Sequence, residues 1–346
     1  MTYNHAPYIV DAMNGFCMQE TDFPFVCTIM DDASTDGEQE VIKKYLADHF
    51  DLNDQTIVRN EETDDYVLTF ARHKKNLNCY FAVFFLKYNH YSIRKSKSNY
   101  IEEWEKQVKY IAMCEGDDYW VHPQKLQKQV DILENLPDCT MVCNRTKLHS
   151  VRRDRIIGEQ YCLNRNDYLD PKDVIRRGGL YISTCTILYR TSIMDDYPDY
   201  CRNCLVGDYP LQIYCAMKGH IYYFNETMSV YRIENNNSWM GKQKWGTLDE
   251  SRLKVIDSQV KMFRGFGGDY PTYKTIFNNK ISHHINFNIP RKSFRYYLNF
   301  FKGEISRYSL RWKIDVFFKI ICISIIRKYY LKLFQRKYLN NIVLYK

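Results

Sequence analysis

The chain has 346 residues, with 45% apolar and 26% charged side chains. That composition is ordinary for a globular protein, and the length exceeds what one compact core usually holds, so two lobes or a domain with an appendage are expected. The net charge of +8 is unevenly spread: residues 241–346 hold 22 Lys+Arg against 6 Asp+Glu, and residues 1–240 hold 27 against 35. A basic tail on an acidic body points to an anionic surface as the tail's partner. Twelve scattered cysteines, with no secretory signal ahead of them, favour reduced thiols in a cytosolic protein. The pair Cys201 and Cys204 has C-x-x-C spacing but lacks the second ligand pair that a zinc site needs.

In chain order, Pro7 suits the first turn of a helix in which Ile9, Met13, Phe16 and Cys17 repeat on one face. Phe25–Met30 reads as a strand ending in Asp31-Asp32-Ala33-Ser34-Thr35-Asp36-Gly37. Thr35 and Glu38 have capping-box spacing ahead of a helix with Val41, Ile42, Tyr45 and Leu46 as its apolar stripe. Ile57-Val58 is a short strand candidate, and Cys79–Tyr88 is an apolar run that periodicity cannot assign to helix or strand. A basic loop, Ser92–Asn99, and a helical stretch, Ile101–Lys109, lead into Tyr110-Ile111-Ala112-Met113-Cys114-Glu115-Gly116-Asp117-Asp118-Tyr119-Trp120. This is a second strand that runs into carboxylates ahead of a helix, the latter opened by Pro123 and stopped by Pro137. Two such units place two acidic clusters on one edge of an α/β sheet, where ligands collect. Taken alone, the Glu115–Asp118 cluster has a solvated acidic turn as its lesser reading, at about one chance in four.

Thr140–Cys143 is read as the next strand and 144–177 as a polar connection with one helical turn after Pro171. Tyr181–Tyr189 is strand-like, Gly207-Asp208-Tyr209-Pro210-Leu211 opens a helix that closes at Gly219, and Ile221–Phe224 and Ser229–Arg232 are two further strands. From about Gly241 the pattern turns helical, basic and aromatic. Its most apolar part, Trp312–Leu333, has an uninterrupted core of Ile320–Ile326, far below the roughly 20 residues that span a bilayer. An amphipathic helix in the headgroup region and a helix packed on the body both fit it. No nucleic-acid motif accompanies the charge, and no nucleic-acid partner is expected.

Thr2-Tyr3-Asn4-His5, Asp31–Gly37, Glu115–Trp120 and Gly207–Leu211 occur in that order. The ordered set resembles the family 2 glycosyltransferases of bacterial surface-polysaccharide synthesis, over roughly residues 1–235. The resemblance implies the GT-A fold, with a Rossmann-like nucleotide-sugar-binding half at 1–125, an acceptor-binding half at 126–240 and a basic helical extension at 241–346. It implies that Thr2, Tyr3 and Asn4 line the nucleotide base, with Asp31 beside them, and that Asp32 accepts a hydrogen bond from a uracil-type base. Glu115, Gly116, Asp117 and Asp118 then occupy the donor-diphosphate motif, with Asp117 as ligand of Mn²⁺ or Mg²⁺ and the contact of Glu115 left open. Asp208 becomes the general base, and Trp120, Ser183, Thr184 and Tyr209 fall in the acceptor pocket.

The chemistry suits these residue types. A divalent cation held by one or two carboxylates neutralises a departing nucleoside diphosphate. A carboxylate within reach of the acceptor hydroxyl removes its proton, worth about 10²–10⁴ in rate. Attack opposite the leaving group inverts the anomeric centre. By itself Asp208 is equally a helix N-terminal carboxylate favoured by the macrodipole.

The sequence departs from the family in three places. An apolar strand normally precedes the Thr-Tyr-Asn turn, and only Met1 does so here, implying a sheet that lacks its first strand or fills it with another segment. Glu115 replaces the usual Asp, and no His follows Tyr231-Arg232, leaving Arg232 as the candidate for phosphate charge. The expected partners are a nucleoside-diphosphate sugar, a glycan or lipid-linked acceptor, and an anionic membrane surface at the inner face of the cytoplasmic membrane. The rival readings are a nucleotidyltransferase, for which no Gly-rich phosphate loop is present, and a degenerate homologue that binds nucleotide sugar or membrane without turnover.

Overall fold

The computed structural model describes residues 1–235, 250–287 and 342–344, and the protein is mixed α/β. Its elements run α1 (Ile9–Cys17), β1 (Phe25–Asp31), α2 (Glu38–His49), β2 (Phe50–Asp51), β3 (Arg59–Glu62), β4 (Tyr66–His73), β5 (Cys79–Leu86), α3 (Ser98–Glu105), β6 (Tyr110–Ala112), β7 (Tyr119–Trp120) and α4 (Lys125–Asn135). They continue with β8 (Cys139–Ser150), β9 (Arg155–Gln160), β10 (Asp167–Tyr168), α5 (Pro171–Arg177), β11 (Leu188–Arg190), α6 (Asp199–Arg202), α7 (Asp208–Lys218) and β12 (His220–Ile233). Helices Glu250–Asp269 and Lys274–Phe287 and a strand at Ile342–Leu344 complete the described chain.

The strands form two sheets. The first runs β1-β5-β4-β2, with β1 and β5 parallel, β4 antiparallel to β5, and β3 on β4. The second runs β10-β12-β8-β11-β6, with β8 and β12 parallel and β7, β9 and Ile342–Leu344 attached at its margins. The division falls between Leu86 and Tyr110. Periodicity left Cys79–Tyr88 undecided; it is a strand, because every residue from Phe81 to Leu86 is buried between layers and both faces must be apolar.

Several expected elements differ. The candidate strand at Ile57-Val58 is a turn, and pairing begins at Arg59. The stretch 144–177 is not a connection: β8 continues to Ser150, and β9 and β10 follow. Their polar outer faces hide the alternation that marks an antiparallel strand. Tyr181–Tyr189 is mostly not a strand, because Thr184–Thr186 closes a 3-10 turn and pairing starts at Leu188. The two strands expected between Ile221 and Arg232 are one, β12, carried across Asn225–Met228 by irregularities in its register with β8. Helix α3 ends at Glu105 rather than Lys109.

Three apolar clusters hold the layers. Met13, Phe16, Ile42, Leu46, Phe81 and Trp120 form one beneath the first sheet, and Met30, Leu68, Phe84 and Leu86 meet Tyr100 and Trp104 on its other face. The third joins β8, β11 and β12 to α5 and α7, and takes in Leu253, Val260, Phe263, Phe266 and Phe277. The described helices after residue 250 are therefore packed on the body. Trp312–Leu333, the segment of the membrane expectation, lies outside the described residues. No described helix is long and apolar enough to cross a membrane.

The chain's first residues stand between the sheets. Thr2 N–H donates to the Met30 carbonyl (2.9 Å) and the Thr2 carbonyl accepts from Asp32 N–H (3.0 Å), a parallel bridge to Asp31. The Met1 carbonyl turns the other way and accepts from Gly116 N–H at 3.2 Å. Met1 and Thr2 thus join the carboxyl end of β1 to the Glu115–Asp118 turn.

Helix α1 follows directly and lies against β7. A Cβ on Gly15 would sit 2.8 Å from the Trp120 carbonyl oxygen and 2.9 Å from its nitrogen, both backbone atoms that cannot yield cheaply. Gly15→Ala is expected to lower stability by about 1–3 kcal/mol, read as a shift of the urea midpoint. Gly268→Ala, where an added Cβ meets nothing within 4 Å, should be neutral or stabilising. Equal effects would show that the α1–β7 approach is not tight.

Candidate functional site

The site is built on the carboxyl ends of β1 and β6. Asn4 adopts φ 59°, a left-handed turn that an Asn side chain tolerates. Its N–H donates to Ser34 Oγ (2.9 Å), and its Oδ1 accepts from Thr35 N–H (2.8 Å). Buried Glu38 ties the same two turns together, accepting from His5 N–H and Ser34 Oγ at 2.9 and 2.8 Å and from Thr2 Oγ1. The expected capping box is therefore absent. Asp36 caps the Glu38 N–H at 3.2 Å, and Glu38 serves the tertiary contact instead. Tyr3 is half-buried beside this junction.

Asp31 and Asp32 are both buried. Asp31 Oδ1 accepts from Ser34 N–H and Gln39 Nε2, while its Oδ2 has no partner among the described residues. Asp32 is fully engaged: Oδ1 accepts from His90 N–H (2.7 Å), and Oδ2 from Tyr91 N–H (3.1 Å) and Lys97 Nζ (2.8 Å). A base donor at Asp32 would have to share or displace Lys97. Residues Tyr88–Lys97 are thus gathered onto this carboxylate, a role the sequence signalled only as a basic loop.

Glu115–Asp118 form the turn between β6 and β7. Gly116 is required by closeness, since a Cβ there would lie 2.3 Å from Thr2 Oγ1. Asp117 Oδ2 accepts from Asn235 Nδ2 (3.0 Å) and lies 3.8 Å from His5 Nε2. Asp118 Oδ1 accepts from Arg232 N–H at 2.8 Å, and its buried Oδ2 has no partner among the described residues. Burial, then the charges of Asp117 and Glu115, push the Asp118 carboxyl well above its ordinary range. Glu115 is reached by solvent but crowded by protein on its other sides. Desolvation, then Asp117 and Asp208, push it up to about 7.

Asp208 opens α7, and its charge is among those that raise the Glu115 carboxyl, after desolvation and Asp117. Its Oδ1 accepts from Tyr209 N–H (2.8 Å), and its Oδ2 lies 3.5 Å from Thr184 Oγ1. Burial raises its carboxyl, outweighing these hydrogen bonds.

The other residues expected on the acceptor side, Trp120, Tyr209 and Ser183, are buried. Trp120 is 5% exposed, donates its indole N–H to the Cys185 carbonyl at 2.9 Å, and carries the Lys125 ammonium 4.2 Å from its ring centre. Tyr209 is 3% exposed, with its hydroxyl on the Ile175 carbonyl, and Ser183, 8% exposed, bonds Gln160. The strand pleat turns Trp120 inward, and Tyr209 sits on the core face of α7; neither orientation is set by the motif. Thr184 alone faces the acidic group.

Arg232 is also committed. Its Nη1 donates to the Asp117 carbonyl at 2.8 Å and its Nη2 to Asp11. The guanidinium carbon lies 4.5 and 5.0 Å from the ring centres of Tyr119 and Tyr8. With its side chain 4% exposed, Arg232 supports the acidic turn from behind rather than presenting charge to a phosphate. Glu38, His5, Lys97 and Asn235 were not singled out by sequence. Lys97 lies in the noted basic loop, His5 ends the Thr2–His5 motif and Glu38 was read as a capping residue, whereas Asn235 had no signal.

Among the described residues no group of three or more His, Cys, Asp or Glu could hold a metal by itself. The donors present are hard carboxylate oxygens in mutual repulsion, one of them buried and unpartnered. They fit a divalent cation that takes one or two carboxylates from the protein and its remaining oxygens from a bound phosphate. Cys201 and Cys204 are buried thiols, raised by that burial.

No family model matches the chain. It is similar to proteins of Mycobacterium bovis and Mycobacterium tuberculosis described as uncharacterized, 28% identical over 278 residues, which is 77% of this chain and 68% of theirs.

The raised Glu115 carboxyl gives a pH dependence. A group whose folded-state pKa is about 7, against an ordinary 4.5, favours the folded state when protonated and disfavours it increasingly as pH rises from 4.5 to 7. Glu115→Gln should therefore raise the melting temperature at pH 8, and the gain should shrink towards zero at pH 4.5. A gain independent of pH would remove the repulsion with Asp117 and Asp208 as its cause.

Proposed function

We propose that the chain is an inverting glycosyltransferase of GT-A type, resembling family 2, which moves a sugar from a nucleoside diphosphate, uridine-linked by preference, to a glycan or lipid-linked acceptor. The observation that carries this reading is the convergence of four sequence-distant motifs. Thr2–Asn4 bridge to Asp31, Gly116 packs on Thr2, His5 approaches Asp117, and Thr184, beside Asp208, adjoins Cys185, whose carbonyl accepts from the Trp120 indole. The ends of β1 and β6 and the start of α7 thereby share one centre.

In this reading Asp117 holds Mn²⁺ or Mg²⁺, with Glu115 as the neighbouring carboxylate. When bound, the cation neutralises charge on the departing diphosphate. Gly116 has no side chain, so Thr2 can approach the acidic turn at the edge where the nucleoside sits. Asp208 takes the proton of the attacking hydroxyl. Its raised carboxyl makes it a stronger base than an exposed aspartate, and Thr184 sits beside it. Asn235 and Arg232 orient Asp117 from the side chain and from the backbone. The partner surface proposed for the basic tail is anionic lipid at the cytoplasmic membrane face.

Calorimetry of a uridine diphosphate with Mn²⁺ tests the metal role. Asp117→Ala should abolish Mn²⁺-dependent binding, and unchanged affinity would refute that role. Asp208→Asn should retain donor binding and lose transfer to acceptor by at least about 100-fold. Transfer at the parent rate would rule out Asp208 as base. A thermal-shift panel of nucleotide sugars with and without Mn²⁺ identifies the donor, because a ligand that binds only the folded state stabilises it.

A further inference from the structure

Lys280 is a buried cation that the site as described does not use. It stands on the helix Lys274–Phe287, is 7% exposed, and has no carboxylate within ion-pair distance among the described residues. The hydrogen bond of its Nζ goes to the Arg176 carbonyl at 3.1 Å, and the centre of the Tyr209 ring lies 5.7 Å away. An ammonium carries three donors, so two of them are unspent. Desolvation pulls the Lys280 ammonium down to about 8. A buried charge without a counter-ion is costly, and capping a helix end needs only a neutral donor.

The ends of α5 and α7 fix where this charge stands. Tyr209 donates its hydroxyl to the Ile175 carbonyl and Lys280 donates to the carbonyl after it, so two other helices satisfy the carboxyl end of α5. Beyond that end Gly178 turns with φ 82°, a conformation that favours glycine. A Cβ on Gly178 would lie 3.6 Å from Lys280 Nζ, and a Cβ on Gly179 would lie 3.8 Å from Asp208 Oδ2. The Gly178-Gly179 turn is therefore flanked by the buried cation on one side and by Asp208 on the other. The N–H groups of Gly179 and Leu180 have no hydrogen-bond partner among the described residues. Solvent reaches the turn, since both glycines are half-buried and Leu180 is 57% exposed, and Arg176 is exposed in the last turn of α5.

We propose that Lys280 and the N–H groups of Gly179 and Leu180 form an anion subsite beside Asp208, which holds a phosphate group of the acceptor. Unspent donors on an ammonium and on two amides suit a phosphate, which offers several acceptor oxygens at once, and Arg176 adds positive charge at the mouth. Calling this ligand the acceptor rests on the reading of Asp208 as the base; the anion subsite itself does not. A soluble sugar phosphate and a phosphate borne on a lipid chain share this chemistry.

Calorimetry on the full chain at pH 7, without nucleotide or Mn²⁺, tests this with glucose 1-phosphate and hexyl phosphate. Both should bind, and Lys280→Gln, which keeps a donor for the Arg176 carbonyl and removes the charge, should weaken them by about 10-fold or more. Tighter binding of hexyl phosphate assigns the phosphate to a lipid chain, and tighter binding of glucose 1-phosphate assigns it to a soluble sugar. In the unmodified chain the affinity should fall by about 10-fold from pH 7 to pH 9, as Lys280 loses its proton near 8 while a phosphate monoester, with a second pKa of about 6, stays a dianion. The other titratable groups around Lys280 are His283 and His284 on its own helix, Arg176 and Arg177 on α5, and Asp208 and Tyr209 on α7. Burial holds the two histidines at about 4 and 3, so they are neutral over this range. The proposal is overturned if neither ester binds, if Lys280→Gln binds them as the unmodified chain does, or, should that variant not fold, if the affinity is independent of pH. Failure of Mn²⁺-dependent donor binding or of transfer would leave the phosphate result standing and remove only the acceptor as its ligand.

Discussion

The acidic turn depends on one buried cation. Arg232, at the end of β12, donates to the Asp117 carbonyl and to Asp11 of α1, between the rings of Tyr8 and Tyr119. Those contacts join the last long strand, the first helix and the carboxylate turn, which lie far apart in sequence. A guanidinium suits this place because its planar fork serves two acceptors while its faces stack on aromatic rings. Its neighbour in the chain, Asn235, reaches the Asp117 side chain, so the end of β12 sets both the backbone and the carboxylate of that residue.

Against this rigid support the site holds more negative charge than its hydrogen bonds satisfy. Glu115, which solvent reaches on one side, is pushed up by desolvation and by Asp117 and Asp208, Asp118 by burial and by Asp117 and Glu115, and Asp208 by burial. Such crowding costs stability, and a group of carboxylates kept in that state is a mark of a site that works on charge. Glu38 supplies the opposite kind of contact, a carboxylate spent wholly on holding the Thr2–His5 turn against Ser34.

The legible parts were those with a local cause. The α1, α2 and α4 stripes, the β1 and β6 strands and the acidic turns that end them could be read because apolar periodicity and carboxylate spacing are local. β8 beyond Cys143, β9 and the continuity of β12 were not legible. Their polar outer faces resemble loop, and only pairing distinguishes the two. In the site, Asp117, Gly116 and Asp208 were found by motif. Trp120, Tyr209 and Ser183 were expected on the acceptor side by the resemblance; the structure buries all three, an orientation that the motif does not encode.

By itself, then, the sequence determined which residue types stand at the ends of which strands; the single sheet expected to carry both acidic clusters is in fact two, with β1 in one and β6 in the other. The tertiary structure alone decided which of those carboxylates are free to act. Asp32 is taken up by Lys97 and the amides of His90 and Tyr91, whereas Glu115 and Asp208 are left in mutual repulsion. A carboxylate's chemistry depends on the donors and charges within a few ångströms, and these come from segments tens to hundreds of residues away.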